Sequence, residues 1–336
     1  MDEKKHMKNL LIIAFFNLFI VFGAAADNLT YSEFSKKYAE SAQLYQQSRY
    51  QEALNIFDEL VNDPFAQEYP SVFLSRSLTL YYLERYDESL KDIEICIQKE
   101  PYVLKPIYCR SVIYTALKNY DKALADIDYC LDRNPRWDDA NHQKGLIYLN
   151  MKKYEEALES FERAINNSDE VKPNFYSDRG FAYYYLKDYH KAKRDFLFAL
   201  KYTSDDDACL CLVDVCYKLN EFEEGMKYAD ILIKKGSRVN FAIIDKSYLL
   251  FALDRYDEAK EGLDSIFESS NNLSSYHKAL SIYYILTDKF DSAIKEIDIA
   301  YSLNQKDNDI LILKQLFQNG QFNMDIVKDS FMVEEF

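Results

Sequence analysis

One short phrase recurs from one end of the chain to the other. The segment KYEEALESFERAI at 153–165 has relatives that each begin with a polar residue followed by an aromatic one. Those aromatics lie 36, 34, 34, 35, 33, 34 and 34 residues apart, at Tyr50, Tyr86, Tyr120, Tyr154, Tyr189, Phe222, Tyr256 and Phe290. A period of this length is typical of stacked helical hairpins that bury their apolar faces against their neighbours. The spacing therefore predicts one elongated all-α solenoid instead of two globular domains.

Each period divides into two helices. In the fourth copy, DDANHQKGLIYLNM has the apolar spacing of a first helix, KK forms a turn, and YEEALESFERAINN has the spacing of a second helix. Gly145 and Ala157 lie where the two backbones are expected to cross closely, and the other copies have mostly small residues there. The first helix is thus predicted to lack room for a large side chain at this point.

At these positions the chain resembles the tetratricopeptide repeat (TPR) family. The family pattern has a small residue at repeat position 8, aromatics at 11 and 17, alanine at 20, a large residue at 24 and a compact one at 27. The fourth copy matches it with Gly145, Tyr148, Tyr154, Ala157, Phe161 and Ala164. The resemblance implies a right-handed α-solenoid of TPR hairpins. Eight repeats would cover 34–307, and 308–336 would form a degenerate ninth repeat or C-terminal cap.

The sixth copy departs most from this pattern. Val213 replaces the small residue, Cys216 the aromatic, Gly225 the alanine and Ala229 the large residue. We expect looser or differently angled packing in this copy, and we place any bend or hinge within 206–239.

Residues 1–26 have the composition of a secretory signal peptide. Lys4, Lys5 and Lys8 precede an apolar run, and small residues up to Ala26 offer a cleavage site. Residues 27–33 would then form a short lead before the first repeat. The alternative is an uncleaved N-terminal membrane anchor, although the apolar run is shorter than the ~20 residues that a spanning helix needs. The sequence predicts export, to the periplasm or the exterior.

The charge of the chain argues against nucleic acid as a partner. Its formal net charge is −15, or −16 without residues 1–26, which carry three lysines against Asp2 and Glu3. Proteins that bind nucleic acid need clustered Lys and Arg. An acidic peptide would also be repelled, so we expect a partner that is apolar, or basic at its edges.

Six cysteines allow a disulfide in an exported protein: Cys96, Cys109, Cys130, Cys209, Cys211 and Cys216. Cys96 and Cys130 occupy the same position in consecutive repeats, which is too far apart for a bond. Cys96 with Cys109 is the one pairing to test. The alternative is that all six are buried free thiols that act as small apolar residues.

The sequence contains few groups suited to catalysis. Glycine-rich phosphate loops, the zinc-binding HExxH pattern and the GxSxG nucleophile motif are all absent from the printed sequence. The nearest cluster is SDDDACLCLVDVC at 204–216, which is either a metal site or an acidic first turn, capped by Ser204, followed by core cysteines. We predict a non-enzymatic protein without a cofactor or a metal.

The resemblance implies that the first helices line an inner, concave wall, where ligands usually contact repeat positions 2, 5, 9, 12 and 13. Large apolar residues occupy many of these positions, and a contiguous apolar patch usually marks an interface. The predicted peptide-binding residues are Leu78, Tyr81, Tyr82, Tyr108, Val112, Leu146, Phe181, Tyr184, Tyr185, Tyr217, Tyr248, Phe251 and Ile282. The alternatives are that these residues pack against the neighbouring first helix, or that the chain's own ends fill the groove.

The sequence therefore favours a protein-interaction scaffold of the cell envelope or exterior that binds a peptide or protein segment. A membrane would be contacted only through an uncleaved signal. The second hypothesis is a structural component that forms homo-oligomers through the same apolar face, and enzymatic activity is the least favoured function.

Overall fold

The computed structural model describes residues 29–318. The predicted signal peptide and the part of the predicted cap beyond Gln318 lie outside the described residues. Within them, all regular secondary structure is helical, which confirms the all-α class. The helices are α1 (Tyr31–Gln46), α2 (Tyr50–Leu60), α3 (Phe65–Glu68), α4 (Ser71–Tyr82), α5 (Tyr86–Lys99), α6 (Leu104–Ala116), α7 (Tyr120–Arg133), α8 (Asp138–Asn150), α9 (Tyr154–Asn167), α10 (Pro173–Tyr185), α11 (Tyr189–Leu200), α12 (Asp206–Lys218), α13 (Phe222–Lys235), α14 (Val239–Ala252), α15 (Tyr256–Ser265), α16 (Phe267–Ser270), α17 (Ser274–Leu286), α18 (Phe290–Leu303) and α19 (Asn308–Gln318).

The chain divides into two compact units between Phe175 and Tyr176, near the start of α10. In unit 1 the hairpins α1–α2, α4–α5, α6–α7 and α8–α9 follow one another. Unit 2 contains α11, the hairpins α12–α13, α14–α15 and α17–α18, and α19. None of the helices in residues 29–318 is long and apolar enough to cross a membrane.

The turn inside each hairpin has the same backbone conformation. Repeat position 15 is left-handed in all eight copies, with φ between 57° and 63°, although no copy has glycine there; the residues are Ser48, Glu84, Lys118, Lys152, Lys187, Asn220, Asp254 and Asp288. In the fourth copy the amide of Lys153 bonds the carbonyl of Tyr148 at 2.9 Å, and the amide of Lys152 bonds that of Leu149 at 2.9 Å. This left-handed cap satisfies carbonyls at the end of the first helix and reverses the chain.

The predicted lack of room at repeat position 8 is confirmed in the two glycine-containing copies. A Cβ on Gly145 would lie 2.5 Å from the ring of Phe161, and one on Gly180 would lie 2.8 Å from the ring of Phe196. Both rings are fully buried. The first helix therefore lacks room for a side chain here because the position-24 phenylalanine of the second helix occupies the space.

Of the two expectations for the sixth copy, looser packing is wrong, while a different packing angle stays a prediction. Val213, Cys216 and Ala229 have no exposed surface. A Cβ on Gly225 would lie 3.0 Å from both Cys216 and Leu249, so this glycine is tightly enclosed. Val213 and Ala229 belong to one core cluster, which also contains Leu249 of α14. The division between the two units also falls outside 206–239.

A basic residue at repeat position 7 forms ion pairs with one or both neighbouring second helices. Arginine reaches position 23 of its own hairpin, as in Arg76–Asp92, Arg110–Asp126 and Arg179–Asp195, and Arg76 also reaches Asp58 at position 25 of the preceding hairpin. Lysine reaches position 25 of the preceding hairpin, as in Lys144–Asp128, Lys246–Asp230 and Lys314–Asp298. Several of the acidic residues therefore form ion pairs within a hairpin or between neighbouring hairpins.

All six cysteines are buried free thiols, as the alternative to a disulfide predicted. The Sγ of Cys96 donates to the Pro70 carbonyl at 3.1 Å instead of bonding Cys109. Burial raises the pKa of Cys209 to about 11 and that of Cys216 to about 12, so both stay protonated near neutral pH. They act as small core residues.

Candidate interaction surface

In unit 1, the residues predicted to bind a ligand are buried. Six of them are at most 8% exposed: Leu78, Tyr81, Tyr82, Tyr108, Val112 and Leu146. The ring of Tyr82 stacks on Tyr50 at 4.7 Å, and the ring of Tyr108 packs on Trp137 at 5.1 Å. Packing against neighbouring side chains accounts for their burial, and Tyr82 also contacts Tyr45 of the neighbouring first helix α1 at 5.5 Å, as the first alternative predicted. They present almost no surface to a ligand in this conformation.

In unit 2, the predicted residues divide by burial. Tyr184, Tyr248, Phe251 and Ile282 are at most 6% exposed. The other three, Phe181 and Tyr185 on α10 and Tyr217 on α12, are partly exposed. Phe181 lies edge-on against Phe196 with ring centres 5.0 Å apart, which fixes its ring at the surface. Only Phe181, Tyr185 and Tyr217 keep accessible surface for a ligand. Ligand binding by the predicted residues stays a prediction.

An acidic residue outside the predicted set lies among these aromatics. Asp214 on α12 is only 4% exposed. Its Oδ2 accepts a hydrogen bond of 2.5 Å from the hydroxyl of Tyr184 on α10, while its buried Oδ1 has no partner. Burial raises the pKa of Asp214, and the hydrogen bond from Tyr184 and the charge of Lys218 oppose that rise.

Two residues of α14 extend this polar region. Asp245 is partly exposed and makes no hydrogen bond or ion pair with the described residues. Desolvation together with the charge of Asp214 raises its pKa well above the usual range, and the charge of Lys278 opposes that rise. One turn further along α14, the hydroxyl of Tyr248 is buried without a partner, and the residue is 2% exposed. Burial, followed by the charge of Asp245, raises the pKa of Tyr248.

The neighbouring charges leave this region acidic. On α17, the ammonium of Lys278 is 1% exposed and pairs with Asp309 at 3.1 Å and Asp307 at 3.5 Å. With Asp214 and Asp245 this makes four carboxylates, against the two ammonium groups of Lys278 and Lys218. Asp214 and Lys278 are buried while Asp245 is partly exposed, and a cation bound beside these carboxyl groups would favour their ionised form.

Sequence reasoning missed the role of these residues. Asp214 stands at repeat position 9, where every other copy has an apolar residue, so it could have been singled out. Asp245 stands at position 6, which is not one of the usual ligand positions. Its surroundings come from three separate hairpins, and the sequence pattern of one repeat contains no signal for them.

The 204–216 segment has the acidic first turn expected of a helix start. Asp205, and not Ser204, caps α12, because its Oδ1 accepts from the amides of Asp207 at 3.1 Å and Ala208 at 3.0 Å. The hydroxyl of Ser204 instead accepts from Lys235 at 2.6 Å. Within residues 29–318 no group of three or more His, Cys, Asp or Glu side chains is arranged to hold a metal ion.

The family of the chain follows from its match to a family model. Residues 44–260 match the model described as the tetratricopeptide repeat protein 21 N-terminal ARM repeat. The chain belongs to this tetratricopeptide repeat family. The match covers more than half of the chain, and the TPR fold commonly mediates interactions between proteins. No protein of curated function matches the sequence.

Two solved structures share the TPR fold at low sequence identity. The structure of PilF from Pseudomonas aeruginosa is 15% identical, with a TM-score of 0.56, and the alignment covers 62% of this chain and 95% of PilF. A chain of the APC/C hetero-tetramer Cut9-Hcn1 is 14% identical, with a TM-score of 0.61, and the alignment covers 94% of this chain and 59% of that one. At this identity the similarity shows the helical-repeat solenoid alone.

Proposed function

We propose that this TPR protein is a non-enzymatic scaffold that binds a peptide or protein segment along the first helices of unit 2. The observation that supports this is the partial exposure of Phe181, Tyr185 and Tyr217, while the other predicted residues are buried. Tyr and Phe side chains offer a large contact area at a low cost in side-chain entropy, which suits an anchor for a peptide.

We also propose that the protein works in the cell envelope or outside the cell. The basic residues and apolar run of residues 1–26 support this location. N-terminal sequencing of the native protein tests it, because export with cleavage predicts a mature chain that begins at Asp27. A chain that begins at Met1 or Met7 and fractionates with the cytoplasm would contradict it.

Peptide selection tests the binding function. A random-peptide display library is selected on the full chain, and the dissociation constant of the enriched peptide is measured by fluorescence anisotropy. We expect Phe181→Glu combined with Tyr185→Glu to weaken binding at least tenfold while the thermal melt is retained. The matched control is Tyr202→Glu, because Tyr202 is 58% exposed on unit 2 outside the proposed surface. Equal binding by the double variant would overturn the proposal.

Light scattering separates a binding scaffold from a self-associating structural protein. We expect a monomer mass that does not change with concentration. A concentration-dependent mass that Phe181→Glu with Tyr185→Glu abolishes would show that the surface joins copies of this chain, and would contradict the proposed function.

A further inference from the structure

We propose that Asp214, Asp245 and Tyr248 form a subsite for a cationic side chain, arginine or lysine, of the bound segment. This inference rests on the proposed function and assigns the partner's chemistry at the same surface. The subsite lies between α12 and α14, which contact each other, and its accessible surface is that of the partly exposed Tyr217 and Asp245, while Asp214 and Tyr248 are buried beside them.

The first argument is the presence of buried polar atoms without partners. Nearly all buried polar atoms in folded proteins make a hydrogen bond, because an unpaired one loses its contact with water and gains nothing in return. Oδ1 of Asp214 and the hydroxyl of Tyr248 are both buried and unpaired, although their residues are 96% and 98% enclosed. Donors from a ligand would satisfy the carboxylate oxygen, and Tyr248 can donate to a ligand carbonyl or accept from a ligand donor.

The second argument is the charge of the region. Four carboxylates face two ammonium groups, and both ion pairs of Lys278 involve Asp307 and Asp309. Lys278 and Lys218 lower the pKa values of Asp245 and Asp214 through their charge, but neither carboxyl group forms an ion pair within residues 29–318. Asp245 and Oδ1 of Asp214 can therefore each accept a hydrogen bond from an added cation. The described residues do not provide ligands for a metal ion, so the cation that fits is an organic one with several N–H donors.

The third argument is the aromatic edge of the subsite. Tyr217 packs against the core cluster that contains Tyr248, and its side chain is partly exposed. A tyrosine ring next to a carboxylate can stack on a guanidinium while the carboxylate accepts its hydrogen bonds. The subsite is thus continuous with the surface that would hold the flanking apolar residues of the same segment.

The test repeats the peptide selection on the wild type and on Asp245→Asn. We expect wild-type peptides to carry Arg or Lys at one fixed position beside aromatic or apolar residues, and the variant to lose that basic residue while keeping the apolar ones. Replacement of the selected Arg by citrulline, or of the selected Lys by norleucine, should weaken binding to the wild type at least tenfold. The same replacement should have little effect on binding to Asp245→Asn. The matched control is Asp257→Asn, which removes an exposed carboxylate of α15.

The outcomes separate this inference from the proposed function. Apolar peptides without a fixed basic residue would overturn the cation subsite and leave the scaffold function standing. A basic residue whose contribution is the same in wild type, Asp214→Asn and Asp245→Asn would also overturn it. Failure to enrich any peptide would contradict the proposed function itself, and the subsite with it. The peptide with citrulline or norleucine is measured on the wild-type protein. Misfolding of a variant therefore cannot produce the expected loss of affinity in that measurement.

Discussion

The hydroxyl of Tyr184 on α10 donates to Oδ2 of Asp214 on α12, while the other oxygen of that carboxylate is buried and unpaired. The bond joins two consecutive first helices of unit 2 through a charge that is 4% exposed. An ionised carboxylate with only one donor is poorly stabilised at such burial. Asp214 therefore costs free energy in the unliganded protein.

Replacing Asp214 with asparagine should stabilise the unliganded protein, and more so as the pH rises. The pKa of Asp214 is raised in the folded chain, chiefly by burial. A carboxyl whose folded pKa is raised contributes stability below its unfolded pKa of about 3.9, and that contribution is lost as the pH rises through the folded value. We compare the free energy of unfolding of Asp214→Asn with that of the wild type by urea denaturation. We expect the difference in favour of the variant to be about 1 kcal/mol larger at pH 8 than at pH 4.5. A difference that stays constant with pH would contradict this account.

The contribution of His277 to stability should also fall as the pH rises, although here the charged form is the stabilising one. Burial lowers the pKa of His277, but the hydrogen bonds of its Nδ1 with Glu296 at 2.6 Å and of its Nε2 with the Asn271 carbonyl at 2.9 Å outweigh burial and raise it. The charged ring therefore stabilises the fold below its ordinary pKa of about 6.5, and this stabilisation is lost as the pH rises through the folded value.

We expect His277→Gln to cost about 1 kcal/mol at pH 6 and much less at pH 9. Denaturation curves at both pH values, with nitrogen NMR of the imidazole, measure this. His190→Gln, at an exposed position, is the control and should change little at either pH. A loss of stability that is the same at pH 6 and pH 9 would contradict the role of the charged ring.

Breaking the buried ion pair between α6 and α7 should cost far more stability than breaking an exposed ion pair. Arg110 binds Asp126 through two hydrogen bonds of 2.8 and 2.7 Å, and Asp126 is only 7% exposed. Arg110→Met leaves that carboxylate buried without its partner and should cost about 3 kcal/mol. Arg49→Met breaks a pair with exposed Glu52 and should cost less than about 1 kcal/mol. Equal losses in chemical denaturation would show that burial does not decide the strength of these pairs.

The left-handed turn residues offer a stabilising substitution. Lys152 is exposed and has a φ of 60°, which costs a residue with a side chain about 1–2 kcal/mol and costs glycine almost nothing. Lys152→Gly should therefore stabilise the protein by up to about 1 kcal/mol, since the added freedom of the unfolded chain offsets part of the gain. The adjacent Lys153 has a φ of −95°, so Lys153→Gly should bring no gain. A thermal melt of the two variants decides between them.

The sequence predicts the hairpins well because their determinants are local. The fold depends on contacts such as Gly145 with Phe161, which lie within one repeat and recur at a fixed spacing. The close packing of the sixth copy does not follow from its single departures, because Gly225 is enclosed by Cys216 of its own hairpin together with Leu249 of the next one. Contacts of this kind are not visible when residues are compared one at a time with a pattern.

The surface was less predictable because it depends on contacts between hairpins. Tyr82 and Phe181 both belong to the predicted set, yet Tyr82 stacks on Tyr50 and is buried, while Phe181 stays partly exposed. The distance between neighbouring helices decides whether such a side chain is buried or exposed. The repeat pattern does not encode that distance. The surroundings of Asp245 likewise arise from three helices that are far apart in sequence.

The dissociation constant of a selected peptide tests the central claim most directly. It is measured for the wild type, for Phe181→Glu with Tyr185→Glu, and for the control Tyr202→Glu, all with matching thermal melts. The account predicts at least a tenfold weaker affinity for the double variant and an unchanged affinity for the control. Equal affinity of all three proteins for the peptide would contradict the claim that the first helices of unit 2 bind the partner.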